Sequence, residues 1–80
     1  MVIQILGSGC PNCRKLEANA REAVKNLDIE ADIVKVQDMD TIMEMGVMIT
    51  PGLAVDGIVK KTGKVLSVSE IEDVLDVEGH

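Results

Sequence analysis

Apolar positions along this chain follow two periodicities. Val2-Ile3-Gln4-Ile5-Leu6 is a short run, mostly β-branched and leucine, the pattern of a buried strand. Residues 11–27 then carry apolar side chains at helical spacing. Cys13, Leu16, Ala20, Val24 and Leu27 share one face, and Glu17 pairs with Arg21, four positions on, along the outer side. A second strand is predicted over 29–36. One helix joins it to the first, so the two strands should lie parallel. Residues 38–45 read as a short helix stopped by Gly46, with Met39, Ile42 and Met43 on its inner face. After a loop over 47–52, the runs 53–55 and 58–62 flank Asp56-Gly57, a strong hairpin signal. The last helix starts at Ser67. Ser67-Val68-Ser69-Glu70 matches a capping box, Leu66 with Ile71 fits a hydrophobic staple, and Ile71, Val74 and Leu75 face the core. The predicted order is β-α-β-α-β-β-α, an α/β chain forming one domain over 1–80.

Composition narrows the picture. A chain of 80 residues makes one small domain, and 46% hydrophobic content supplies one core. There is no Phe, Tyr or Trp, so that core is aliphatic plus Met. The cluster Met39, Met43 and Met45 reads as flexible core filler. Met48, near Pro51, reads instead as apolar contact surface. A net charge of −6 argues against a nucleic-acid partner. No run approaches the length of a membrane-spanning helix, and no basic segment precedes the first apolar run, which is therefore a strand and not a signal peptide. These features point to the cytoplasm and to no membrane partner. Lys60, Lys61 and Lys64 read as a solvated edge that discourages sheet-to-sheet association, so a monomer is expected. Glu70, Glu72, Asp73 and Asp76 read as a solvated helix face, and the terminal His80 as solvated and without a catalytic role.

The chemistry concentrates in Gly7-Ser8-Gly9-Cys10-Pro11-Asn12-Cys13-Arg14-Lys15. Both cysteines of the chain lie here, spaced C-x-x-C, where a strand turns into a helix. In a reducing compartment that spacing signals redox or metal chemistry, and a bridge this short would staple almost nothing. The first N–H groups of a helix have no partner within it and carry partial positive charge, which favours a thiolate. Arg14 and Lys15 add cations in the same turn. Such surroundings lower a cysteine pKa from about 8.5 to roughly 3.5–7.5, and the thiolate is the form that attacks disulfides. Pro11 at the first helical position costs no hydrogen bond and presets the helical φ. With Cys10 capping the helix and Cys13 one turn in, Cys10 is the exposed thiol and Cys13 the sheltered one.

Cys10-Pro11-Asn12-Cys13 after the first strand, with Thr50-Pro51 just before the third, resembles the thioredoxin and glutaredoxin superfamily, and its small archaeal and bacterial thioredoxin-like members in particular. The resemblance spans nearly the whole chain. It implies the minimal thioredoxin fold, a four-stranded mixed sheet flanked by three helices. It implies that Cys10 attacks a substrate disulfide and Cys13 resolves the mixed disulfide. It implies that Pro51 is cis and packs against the cysteine pair, that Thr50 offers its backbone to an extended substrate segment, and that Lys35 lies near the site. The implied partners are protein disulfides and an external reductase as electron donor. The cysteine pair is the redox centre, and no bound cofactor is needed. Three positions depart from the family pattern. Gly9 stands where a Trp precedes the first cysteine, Gln4 stands at the buried Asp, and Gly52 follows the proline in place of Thr. Residues that bind glutathione in glutaredoxins are not recognisable.

A second reading uses the same thiolates differently. Two of them suit Cu(I) or half of a zinc site, as in small copper carriers. Those have Met where Ser8 stands here, and they end on a strand whereas this chain ends on a predicted helix. A third reading is a protein that keeps the fold but has lost its redox partner. The redox reading is preferred.

Overall fold

The computed structural model describes residues 1–7, 9 and 11–78. Its elements are β1 (Val2–Leu6), α1 (Pro11–Leu27), β2 (Asp32–Val36), α2 (Met39–Glu44), β3 (Gly52–Val55), β4 (Ile58–Thr62) and α3 (Val68–Glu78). The strands form one sheet in the order β2-β1-β3-β4. β1 runs parallel to β2 and antiparallel to β3, and β4 returns antiparallel beside β3. Among the described residues this is the four-stranded mixed sheet with three helices that the resemblance implies.

β1 and β3 occupy the centre, and each places buried apolar side chains on both faces of the sheet. Ile3, Ile5, Leu53 and Val55 pack on one side with Leu16, Ala20 and Ala23 of α1 and Ile71 and Leu75 of α3. Leu6 and Ala54 pack on the other side with Ile42 and Val47. Helices α1 and α3 therefore cover one face and α2 the other. Successive strand residues point to opposite faces, which puts Gln4 with Leu6 on the α2 side, opposite Ala54 and Val34.

The turns follow the residues that make them. Asp56 and Gly57 both have positive φ, 52° and 87°, as a type I′ hairpin turn requires. Asp56 also ties the hairpin to β1. Its N–H donates to the Val2 carbonyl at 2.8 Å, and its Oδ1 accepts from the Val2 N–H at 2.8 Å. Asp38 caps α2, accepting from the Asp40 N–H at 3.2 Å. The capping box at α3 forms in both directions. The Ser67 hydroxyl accepts from the Glu70 N–H, and Glu70 Oε1 accepts from the Ser67 N–H, each at 3.1 Å. The Thr50–Pro51 bond is cis.

Two predicted features differ from the structure. β2 begins at Asp32, not at 29, because the preceding residues close α1. Asp28 adopts a φ of 52°, its N–H bonds to the Lys25 carbonyl, and the Ile29 N–H bonds to the Val24 carbonyl. That is a Schellman closure, and Ile29 packs on the core there beside Val24 and Ala31. The inner face of α2 is also narrower than predicted. Ile42 is fully buried, whereas Met39 and Met43 are 49% and 61% exposed. A helix of six residues presents one large side chain to the sheet, and Met45 and Val47 continue the packing after it ends. Met39 and Met43 are thus surface residues and not core filler, while Met48, at 88% exposure, is on the surface as expected.

Candidate redox site

β1 ends at Leu6, and α1 starts at Pro11, itself exposed. Cys13 is the third residue of α1 and only 5% exposed, so it faces inward as its helical position predicts. The first turn of α1 contains no acidic residue, which leaves the positive end of a 17-residue helix uncompensated there. Cys10, Ser8 and His80 lie outside the described residues.

Gly7 is the floor of this site. Its N–H bonds to the Val36 carbonyl at 2.9 Å, holding the strand end against β2. A methyl group in place of its hydrogen would overlap Cys13 Sγ and would meet Thr50 Cβ at 3.8 Å. Cys13 and Thr50 therefore approach the same spot from two sides, and only glycine leaves room for the sulfur. Pro51 is buried, and its carbonyl accepts from the Gly63 N–H at 2.8 Å. This anchors the loop that carries Thr50.

Cys13 borders a cavity of about 120 Å³, together with Ile5, Gly7, Gly9, Arg14, Glu17, Lys35 and Gln37. Lys35 comes from β2, directly opposite Ile5. Its Nζ lies 3.4 Å from Glu17 Oε1, and its side chain is 56% exposed. Glu17 Oε2 accepts from Arg21 Nη2 at 2.8 Å and from Nε at 3.1 Å. The Arg21 guanidinium, with help from Lys35, holds the Glu17 carboxyl below the usual carboxylate range against the opposing effect of burial.

The profile of a family described as a thioredoxin domain matches residues 1–76. A thioredoxin of Methanothermobacter thermautotrophicus is 55% identical over 75 residues, covering 94% of this chain and 97% of that one. A thioredoxin of Methanocaldococcus jannaschii is 45% identical over 75 residues, covering 94% and 86%. The chain belongs to the thioredoxin domain family.

Within that family's minimal fold, the structure brings together Cys13, Thr50 and Lys35, the last two from separate strands or loops. Gln4 is not among the residues that line the Cys13 cavity, although it stands six positions before Cys10. Its side chain lies on the α2 face, where its buried Oε1 has no hydrogen-bond partner among the described residues. β1 presents Ile5 to the cavity instead. Glu17 and Gln37 were not expected here. Glu17, expected on the outer side of α1, has a side chain only 15% exposed. The signal was in the spacing: Glu17 follows Cys13 by four residues, so the two are neighbours on one helix face.

Proposed function

We propose that the chain is a cytoplasmic dithiol–disulfide oxidoreductase that reduces disulfides of other proteins through Cys10 and Cys13. The Cys10 thiolate attacks one sulfur of a substrate disulfide. A Cys10–substrate disulfide forms, and the other substrate sulfur leaves as a thiolate and takes a proton. Cys13 then gives up its proton and attacks Cys10 Sγ, forming the Cys10–Cys13 disulfide and releasing the second substrate thiol. Two electrons pass from the cysteine pair to the substrate, and an external reductase restores the dithiol. The pair is itself the redox centre, so no bound cofactor enters the cycle. Pro11 starts the helix that carries Cys13. Thr50 and Pro51 form the wall along which an extended substrate segment lies.

The observation that carries this reading is the seat of Cys13. Its sulfur is sheltered in the first turn of α1, against Gly7, where any side chain would displace the sulfur, with the Thr50 loop across from it. Such a seat suits a thiol that reacts only with the cysteine three positions before it. Membership of the thioredoxin domain family supports the same chemistry. The test is insulin reduction with dithiothreitol as electron source. The protein should accelerate insulin precipitation, and Cys10→Ser should abolish the acceleration. No acceleration, with copper or zinc copurifying in place of activity, would favour the metal-carrier reading.

A further inference from the structure

Glu17 has no part in the exchange steps above, yet among the described residues that line the Cys13 cavity it is the acidic one. It follows Cys13 by four residues on α1, where side chains are neighbours. Two ion pairs hold it in place. Arg21 takes one carboxylate oxygen at 2.8 Å, and Lys35 of β2 faces the other at 3.4 Å. Among the described residues that line the cavity, the charged groups are Arg14 and Glu17 from α1 and Lys35 from β2, while β1 contributes Ile5 and the segment after it Gly7 and Gly9. The carboxylate opposes a negative charge on Cys13. The two cations favour one, and Lys35 is drawn toward Glu17.

We propose that Glu17 is a positioning residue which, as a fixed negative charge beside Cys13 and as the tether of Lys35, keeps the Cys13 sulfur protonated until the mixed disulfide forms. The inference rests on the redox reading for its consequence but not for its measurement. A less stable thiolate makes the dithiol a better electron donor, because the reduced form gives up less on oxidation. Arg21 acts through Glu17 by fixing the carboxylate's direction. The carboxyl stays ionised across the neutral range, since its own titration lies below the usual carboxylate range. The group therefore acts as a constant charge and not as a pH switch.

The experiment follows the ultraviolet absorbance of the thiolate with pH in a Cys10→Ser background, where Cys13 is the sole thiol. The chain contains no aromatic residue to obscure that signal. Glu17→Gln should lower the Cys13 pKa by about half a unit, roughly a threefold gain in thiolate at a given pH below it. Lys35→Met should raise it. A purely structural role for the pair would lower thermal stability in both variants without moving the thiol in opposite directions. Should the glutamine variant not fold, Glu17→Ala, which keeps a strong helix former, reads the same shift. An unchanged or raised pKa on loss of Glu17, or a fall with Lys35→Met, overturns the proposal. Insulin reduction by the unmodified protein is run alongside. Its absence overturns the redox reading, while the titration still decides the role of Glu17.

Discussion

At the scale of single residues, Gly7 carries the strongest steric constraint in the site. Its missing side chain is the space that Cys13 Sγ occupies. Gly7→Ala forces the sulfur to move, and the Thr50 side limits where it can go. Overpacking of this kind costs about 1–3 kcal/mol. Displacement of a reacting atom by an ångström can cost on the order of a hundredfold in rate. The variant should therefore remain folded by circular dichroism but lose roughly tenfold or more of its insulin reduction. Full activity in Gly7→Ala would show that Cys13 does not react from the position seen here. The sequence marked Gly7 as part of a permissive loop, but nothing in one dimension says which atom fills the space beside it. Gln4 makes the converse point. The resemblance sets it at the family's buried Asp, and strand alternation sends it to the α2 face and Ile5 to the cavity.

At the scale of elements, the helix signals were legible wherever the chemistry is local. The capping box at α3 and the hairpin turn at Asp56-Gly57 depend on residues within a few positions, and both form as predicted. Ser67→Ala removes the cap on the Glu70 N–H and should cost about 1 kcal/mol, a fall in Tm of about 4–8 °C for a domain of this size. Calorimetry at neutral pH reads this directly. The same cap is pH-dependent. Lys64, 2.8 Å away, and the Ser67 N–H together lower the Glu70 pKa from 4.5 to about 2. A carboxylate depressed in the folded state adds stability that is complete above its unfolded pKa, and that stability is lost as pH falls toward the folded value. The Glu70 contribution is therefore full above about pH 4.5 and fades between 4.5 and 2. Glu70→Gln should flatten that part of the Tm–pH curve. Helix α2 was less legible, because an apolar spacing does not say how many side chains so short a helix can bury. Ile42→Ala should cost about 2–5 kcal/mol by chemical denaturation. Met39→Gln and Met43→Gln should each stay within about 0.5 kcal/mol of the parent. A large loss from either methionine would contradict the exposed positions assigned to them.

For the whole molecule, element order followed from periodicity and two of the strand pairings from connection lengths, while the β1–β3 pairing that completes the sheet came with the family resemblance. A single helix between β1 and β2 requires a parallel pair, and a two-residue turn between β3 and β4 requires an antiparallel one. The Cα radius of gyration, 11.3 Å, is close to the roughly 11.6 Å expected for a compact chain of this length. Less legible was what three distant segments build when they meet. Glu17 of α1 and Lys35 of β2, set opposite Ile5 by the sheet register, line the Cys13 cavity, and the Thr50 loop approaches Gly7 beside the sulfur. The central claim concerns how that assembly is used: one cysteine meets the substrate and the sheltered one releases it. The most direct test purifies Cys10→Ser and Cys13→Ser variants from cells under acid quench and runs each on a non-reducing gel. With Cys13 removed, release fails and the covalent intermediate persists. The account predicts dithiothreitol-sensitive protein adducts with Cys13→Ser and few with Cys10→Ser. Adducts with neither variant, or chiefly with Cys10→Ser, would contradict it.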